Sequence, residues 1–255
     1  MAGNLANLPR FATERVALRP DVLVCPGSTE AKALQAATRT LPIVFANSSD
    51  PVGSGLVDSI ARPGRNITGI AFAPRLLWSK RLELVVDLLG HQPAKVGWMT
   101  QPEEVVNRVN EEAVLQSAEQ MGIKVERLYV REPSDLDRVF AATVGSEALL
   151  VKVNDLTMAL RWQIAEQALR HQLPTIFETR DSVEAGGLMS YGGNFRENWR
   201  SAASLVDRIL RGSRPGDLPV EQGSRFDLVI NLKTAKTLGL TIPPSLLALA
   251  DGVIE

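Results

Sequence analysis

Short apolar runs rich in β-branched residues alternate along the chain with longer segments in which apolar positions recur at helical spacing. Residues 5–18 read as a helix, with Leu5, Leu8, Phe11, Val16 and Leu18 apolar, followed by the strand Val22-Leu23-Val24-Cys25 and a turn at Pro26-Gly27. Ser28 or Thr29 then caps a helix to about Thr38, since a side-chain oxygen there accepts an orphan N–H of the first turn. The strand Ile43-Val44-Phe45-Ala46, the polar loop Asn47-Ser48-Ser49-Asp50-Pro51, a helix near 53–61, a strand over Asn66–Ile70 and a helix over 76–89 complete a first series. After the break Gly90-His91-Gln92-Pro93 the pattern predicts strands at Val96–Met99, Val125–Tyr129, Ala148–Val153, Thr175–Phe177 and Phe226–Ile230. Helices are expected over 103–121, 135–142, 157–171 and 194–211. Such alternation means parallel strands with crossover helices, the α/β class with doubly wound parallel sheets.

Composition narrows the function classes. With 255 residues and 45% hydrophobic content, the chain can bury the cores of one large or two modest domains. Its 28 Lys+Arg against 29 Asp+Glu give a net charge of -1 with no long basic block, which excludes nucleic acid as an expected partner. One cysteine, Cys25, cannot form an intramolecular disulfide, and with only two histidines, His91 and His171, no metal site is expected. No apolar run approaches the roughly 18 residues that a membrane-spanning helix needs. Met1 to Arg10 lacks the charged start and apolar stretch of an export signal, so the chain as written is expected to be cytoplasmic.

In open parallel sheets the chemistry collects where loops leave the carboxyl ends of strands. The first such loops are Gly27-Ser28-Thr29, after Pro26, and Asn47-Ser48-Ser49-Asp50, rich in hydroxyls beside helix starts where N–H groups favour an anion such as a substrate carboxylate. They serve equally as plain caps and Asx turns. In the second series Asn154-Asp155 and Glu178-Thr179-Arg180-Asp181 place carboxylates where a ligand ammonium could be received. The bland alternative has Asp155 capping a helix from Thr157 and Glu178 pairing with Arg180 at the surface. No GxSxG elbow, HExxH or Walker loop appears, and Gly53-Ser54-Gly55 lacks the third glycine of a dinucleotide fingerprint, so no catalytic residue and no cofactor are expected. Trp78, Trp98, Trp162 and Trp199 are read as packing anchors, with Trp98, at a strand end, and Trp78, near the lobe boundary, the exceptions to watch.

Several runs together carry a more specific signal: Leu41-Pro42-Ile43-Val44-Phe45, Asp50-Pro51-Val52, Arg62-Pro63-Gly64-Arg65-Asn66-Ile67-Thr68-Gly69, Lys80-Arg81-Leu82-Glu83-Leu84 and Gly186-Gly187-Leu188-Met189-Ser190-Tyr191-Gly192. With Phe226-Asp227-Leu228-Val229-Ile230-Asn231-Leu232-Lys233-Thr234-Ala235-Lys236 and the closing Gly239-Leu240-Thr241-Ile242-Pro243-Pro244-Ser245-Leu246-Leu247, the chain resembles the ABC-transporter substrate-binding proteins that include tryptophan and tyrosine binders. The resemblance implies a type I periplasmic-binding fold: two α/β lobes joined by three crossovers, closing on a small amino-acid-like or carboxylated solute for an ABC permease. It implies a location in the periplasm or on a lipid anchor outside the inner membrane. It places 1–90 with 188–216 in an N-terminal lobe and 91–187 with 217–255 in a C-terminal lobe.

Carried over position by position, the resemblance gives a ligand shell of Gly27, Ser28, Thr29, Asn47, Ser48, Ser49 and Asp50 from the first lobe, with Asn154, Asp155, Glu178 and Tyr191 completing it. Trp78 and Arg75 stand where the resemblance expects small residues, which implies a ligand choice shifted from an aromatic amino acid. The chain starts at what resembles the family's second helix, so the signal and the first β-α-β unit are expected to be missing and the N-terminal lobe incomplete. Val22–Cys25 then becomes an apolar edge strand, and a homodimer through that edge, or a tendency to aggregate, is expected. The alternative reading is a cytoplasmic α/β enzyme or a ligand-sensing regulator on the same scaffold, since fold alone does not fix function. A regulator needs a DNA-reading helix pair, for which the short, uncharged start leaves no room.

Overall fold

The computed structural model describes residues 7–71, 74–102, 107–223 and 226–255, with 74, 75 and 107 described in backbone only. From the amino end come α1 (Leu8–Ala17), β1 (Leu23–Cys25), α2 (Ser28–Ala37), β2 (Ile43–Ser48) and β3 (Ile67–Ala71). Then follow α3 (Pro74–Leu89), β4 (Lys95–Thr100), α4 (Asn107–Gln120), β5 (Lys124–Tyr129), α5 (Leu136–Ala141), β6 (Leu149–Val151), α6 (Asp155–Ala159) and α7 (Arg161–Arg170). The chain continues through β7 (Thr175–Phe177), α8 (Arg180–Glu184), β8 (Met189–Gly193), α9 (Phe195–Leu210), β9 (Glu221–Gln222) and β10 (Phe226–Asn231). It ends with α10 (Leu232–Thr237), α11 (Pro244–Leu249) and β11 (Gly252–Ile254).

Two compact units result, Gly3–Ala73 with Gly193–Arg225 and Pro74–Gly192 with Phe226–Glu255, so the chain passes between them three times. The first unit holds a four-stranded sheet in the order β1-β2-β3-β9, with all three pairings parallel. Side chains of a strand alternate between faces, and β2 shows the result: Ile43 and Phe45 pack with Ala31, Leu34 and Ala12 of α2 and α1, while Val44 and Ala46 pack with Ala202, Leu205 and Ile209 of α9. Helices thus cover both faces.

The second unit holds a seven-stranded sheet in the order β11-β10-β8-β7-β6-β4-β5. The same alternation sorts Trp98 and Leu150 to a core with α3 and α4, and Met99, Leu149 and Val151 to a core with α5 and α7. Doubly wound, largely parallel sheets in an α/β chain are what the hydrophobic pattern predicted.

Several expectations are corrected. The lobe boundary expected at residue 90 falls at 73, because Trp78, Leu82, Leu84, Val85 and Leu88 of α3 build the core around β4. Residues 217–225, expected in the other lobe, stay with the first unit because β9 pairs with β3, Ile70 opposite Glu221. The helix expected near 53–61 is a run of turns: Asp50 caps a single turn, its side chain taking the Gly53 N–H and its carbonyl the Ser54 N–H, and Gly55 at φ +71 then ends it. The helix expected over 157–171 divides at Leu160 into α6 and α7, where Arg161 Nη1 donates to the Met158 carbonyl at 2.7 Å. Strands β8, β9 and β11 were not foreseen. The expected helix starts at Leu5 and Glu103 lie outside the described residues.

Candidate functional site

In the first unit, parallel pairing of Leu23 with Ile43 through Cys25 with Phe45 brings the carboxyl ends of β1 and β2 together. Helix α2 begins directly after, and its N-cap is Gly27, in extended backbone, with no side chain to offer. Ser28 is therefore the first helical residue and not the expected cap; its buried hydroxyl lies 2.8 Å from that of Ser48, the last residue of β2. Gly27 gives the first-turn N–H groups of α2 no side-chain cap, and the first turn carries Glu30, whose Oε2 would lie 3.3 Å from a β-carbon on Gly27, so an anion there would meet the positive end of the helix dipole beside a carboxylate already present. Ser49 is 7% exposed, and its hydroxyl has no hydrogen-bond partner among the described residues. A buried hydroxyl without a partner costs about 1–3 kcal/mol, so this group favours one. Thr29 is half-buried beside them.

The two remaining loop residues are held from within. Asn47 Oδ1 accepts from Nδ2 of Asn198, on α9, at 2.6 Å. Asp50 Oδ1 accepts the Gly53 N–H at 2.7 Å, three residues on as an N-cap does, so this carboxylate shapes its own loop.

In the second unit β6 and β7 are parallel neighbours, and their carboxyl ends carry Asn154, Asp155 and Glu178. Asn154, not Asp155, caps α6: its Oδ1 accepts the Thr157 N–H at 2.9 Å while Thr157 Oγ1 accepts the Asn154 N–H at 3.0 Å. Asp155 is the exposed first residue of that helix. The Nδ2 of Asn154 is buried without a hydrogen-bond partner among the described residues.

Glu178 does not pair with Arg180, which binds Glu184 instead. Its partner is Arg81 of α3, with Nη1 and Oε1 3.0 Å apart, and its other oxygen accepts the Val153 N–H at 2.9 Å. Arg81 is 1% exposed, donates through Nε to the Tyr191 carbonyl at 2.7 Å, and lies 4.3 Å over the Trp78 ring. Burial lowers its pKa, and the facing Glu178 carboxylate opposes that shift. The side chain of Tyr191, on β8, packs against Phe226 at 6.2 Å between ring centroids. Next to it, a β-carbon on Gly192 would overlap the Glu178 carbonyl oxygen, so β8 approaches this closely only with glycine there.

Sequence reasoning therefore found the loops and missed Arg81, Asn198 and Gly192. A signal for Arg81 was present: it stands three residues after Trp78 and four before Val85, a charge inside the apolar stripe of α3. Trp78 and Trp98 are fully buried and meet edge to face at 6.1 Å, so both are core residues. Trp162 and Trp199, read as packing anchors, are instead exposed. The side chain of Arg75 lies outside the described residues. Among the described residues no group of three metal-ligating side chains comes together, and no helix is long and apolar enough to cross a membrane.

Comparison with known proteins gives these loops a context. A tyrosine-binding protein of Clostridioides difficile is 26% identical over 231 residues, 90% of this chain and 66% of that protein, so the chain spans just under two thirds of that relative's length. A conserved domain protein of Vibrio cholerae is 30% identical and superposes with a TM-score of 0.92 over 98% of this chain and 84% of that one. An ABC domain in complex with L-Trp from Streptococcus pneumonia is 26% identical, with a TM-score of 0.91 over 99% of this chain and 87% of that one. The fold is accordingly that of the type I periplasmic binding proteins, and the relative named by function is a binding protein and not an enzyme. Residues 2–254 match the family described as ABC transporter substrate binding protein, and the chain belongs to that family.

Proposed function

We propose that this chain is the solute-binding component of an ABC importer, taking a small amino-acid-like solute that bears a carboxylate and delivering it to a membrane permease. The observation that carries the reading is the start of α2, a ten-residue helix with no side-chain cap beside the unpartnered, buried hydroxyl of Ser49. Backbone N–H groups and hydroxyls at a helix N-terminus suit a carboxylate. On this reading Gly27, Ser28, Thr29, Ser48 and Ser49 are the carboxylate-binding residues of the first unit, with Asn47 and Asp50 shaping their loop. Within the second unit Asn154, Asp155 and Tyr191 are read as solute-binding, with Glu178 shaping their loop from inside. L-Trp and tyrosine are named for two relatives, which supports an aromatic amino acid, and Trp78, a core residue here, does not argue against one. Work outside the cytoplasm, in the periplasm or on a lipid anchor, belongs to the same reading.

A second copy of the chain is a further proposed partner. Strand β1 pairs with β2 alone among the described residues, and Val24 in it is exposed, so an unpaired edge is available for β-augmentation.

Calorimetric titration of the chain with L-amino acids, aromatic acids and nucleotides tests the function. Saturable binding of one class of carboxylated solute is expected. Binding of a nucleotide, with every carboxylated solute silent, would overturn the reading.

A further inference from the structure

We propose that Arg81 is a positioning residue of the solute-binding loops: it claims the Glu178 carboxylate for the protein itself, which leaves the solute's ammonium to Asp155. The proposal rests on the reading above that the solute is amino-acid-like. Both oxygens of Glu178 are engaged from inside, one by Arg81 Nη1 at 3.0 Å and the other by the Val153 N–H at 2.9 Å. The pair is nearly dry, with Glu178 13% exposed and Arg81 2% exposed at the side chain. A second cation brought to Glu178 would lie beside a guanidinium that keeps its charge at any ordinary pH, and in such surroundings that repulsion offsets much of the attraction. Asp155 is exposed at the first position of α6, beyond the Asn154 cap. Lys152, the other buried cation of this loop, donates to the Val153 carbonyl at 3.0 Å.

Arg81 also fixes where the loops stand. Through Glu178 it holds Val153, and so the turn that carries Asn154 and Asp155. Through its Nε it holds the Tyr191 carbonyl, two residues before the chain leaves this unit. One guanidinium therefore ties the ends of β6 and β7 to the middle of β8. Its planar fork meets a carboxylate, a carbonyl and an aromatic face at once, which a lysine cannot reproduce.

The test is calorimetry on the full chain with L-tryptophan and L-tyrosine, and with tryptamine and tyramine, which keep the ammonium and lack the carboxylate. Asp155→Asn is expected to lose on the order of tenfold or more in affinity for the bound amino acid. The double variant Arg81→Met with Glu178→Gln, which removes both buried charges and the tie between the loops, is expected to weaken amino acid and amine alike and to leave their ratio within about threefold of the parent's. Arg81→Met alone frees the Glu178 carboxylate and is expected to shift preference from the amino acid toward its amine by about tenfold, a shift that Glu178→Gln reverses. A merely structural Arg81 would weaken amino acid and amine alike in the single variant too. Should Arg81→Met fail to fold, Asp155→Asn decides. An unchanged Asp155→Asn, or an Arg81→Met that keeps the parent's ratio, would overturn this proposal while leaving the solute-binding function standing. A parent chain that takes none of the four probes and binds a solute without an ammonium would overturn the amino-acid reading and this proposal together.

Discussion

Glu178 shows how far a single residue can be read from sequence. Its place after a β-strand and its acidic nature were legible, but its partner was not, because Arg81 reaches it only through the packing of α3 on the sheet. Ser28 is similar: the hydroxyl was expected at a helix start, yet a one-residue difference in that start turned it from a cap into a partner of Ser48. Gly192 gives a prediction at this scale. Replacing it with Ala forces a β-carbon against the Glu178 carbonyl oxygen, and urea unfolding should show a loss of about 1–3 kcal/mol. Another concerns pH. His91 Nε2 and Glu147 Oε2 lie 2.7 Å apart at the surface, which raises the His91 pKa above 6.5 and lowers that of Glu147 below 4.5. The histidine's contribution is complete below its unfolded value and is lost as pH rises through its raised folded value. The carboxylate's is complete above its unfolded value and is lost as pH falls through its lowered one. Melting temperature should therefore decline from pH 6 to 9 more steeply in the parent than in His91→Gln.

Among the elements, the β-then-α order was legible because strands and helices impose different hydrophobic periods, and every strand placed from the pattern is present. The strands that escaped, β8, β9 and β11, are short or carry glycine: Met189-Ser190-Tyr191-Gly192-Gly193 has too little alternation, and β9 is a two-residue pairing that only β3 defines. The turns at 51–57 escaped for the opposite reason, since apolar residues at helical spacing there are overridden by Gly53 and Gly55. The edge position of β1 followed from the family resemblance and not from periodicity. Val24 on it is 46% exposed, so Val24→Lys should leave urea stability within about 0.5 kcal/mol while lowering any self-association seen by light scattering. A parent that is monomeric at all concentrations would remove the second copy from the list of partners.

The molecule as a whole divides into two units that exchange the chain three times, and sequence located those exchanges only approximately. A crossover has no composition of its own. Helix α3 looks like the end of the first series and belongs to the second core, which is knowable only once Trp78 and Trp98 are seen to touch. Resemblance over the full length named the family correctly where local patterns alone left an enzyme or a sensor open. The central claim is that this chain holds a solute by both a carboxylate and an ammonium. The most direct measurement is its melting curve with an aromatic amino acid, with the corresponding amine, and with the corresponding acid that lacks the ammonium. The account predicts stabilisation by the amino acid, about 2.7 kcal/mol at a hundredfold excess over its dissociation constant, and far less by either part-molecule at the same concentration. Equal stabilisation by the amine or the acid alone, or stabilisation by a nucleotide and by none of these, would contradict it.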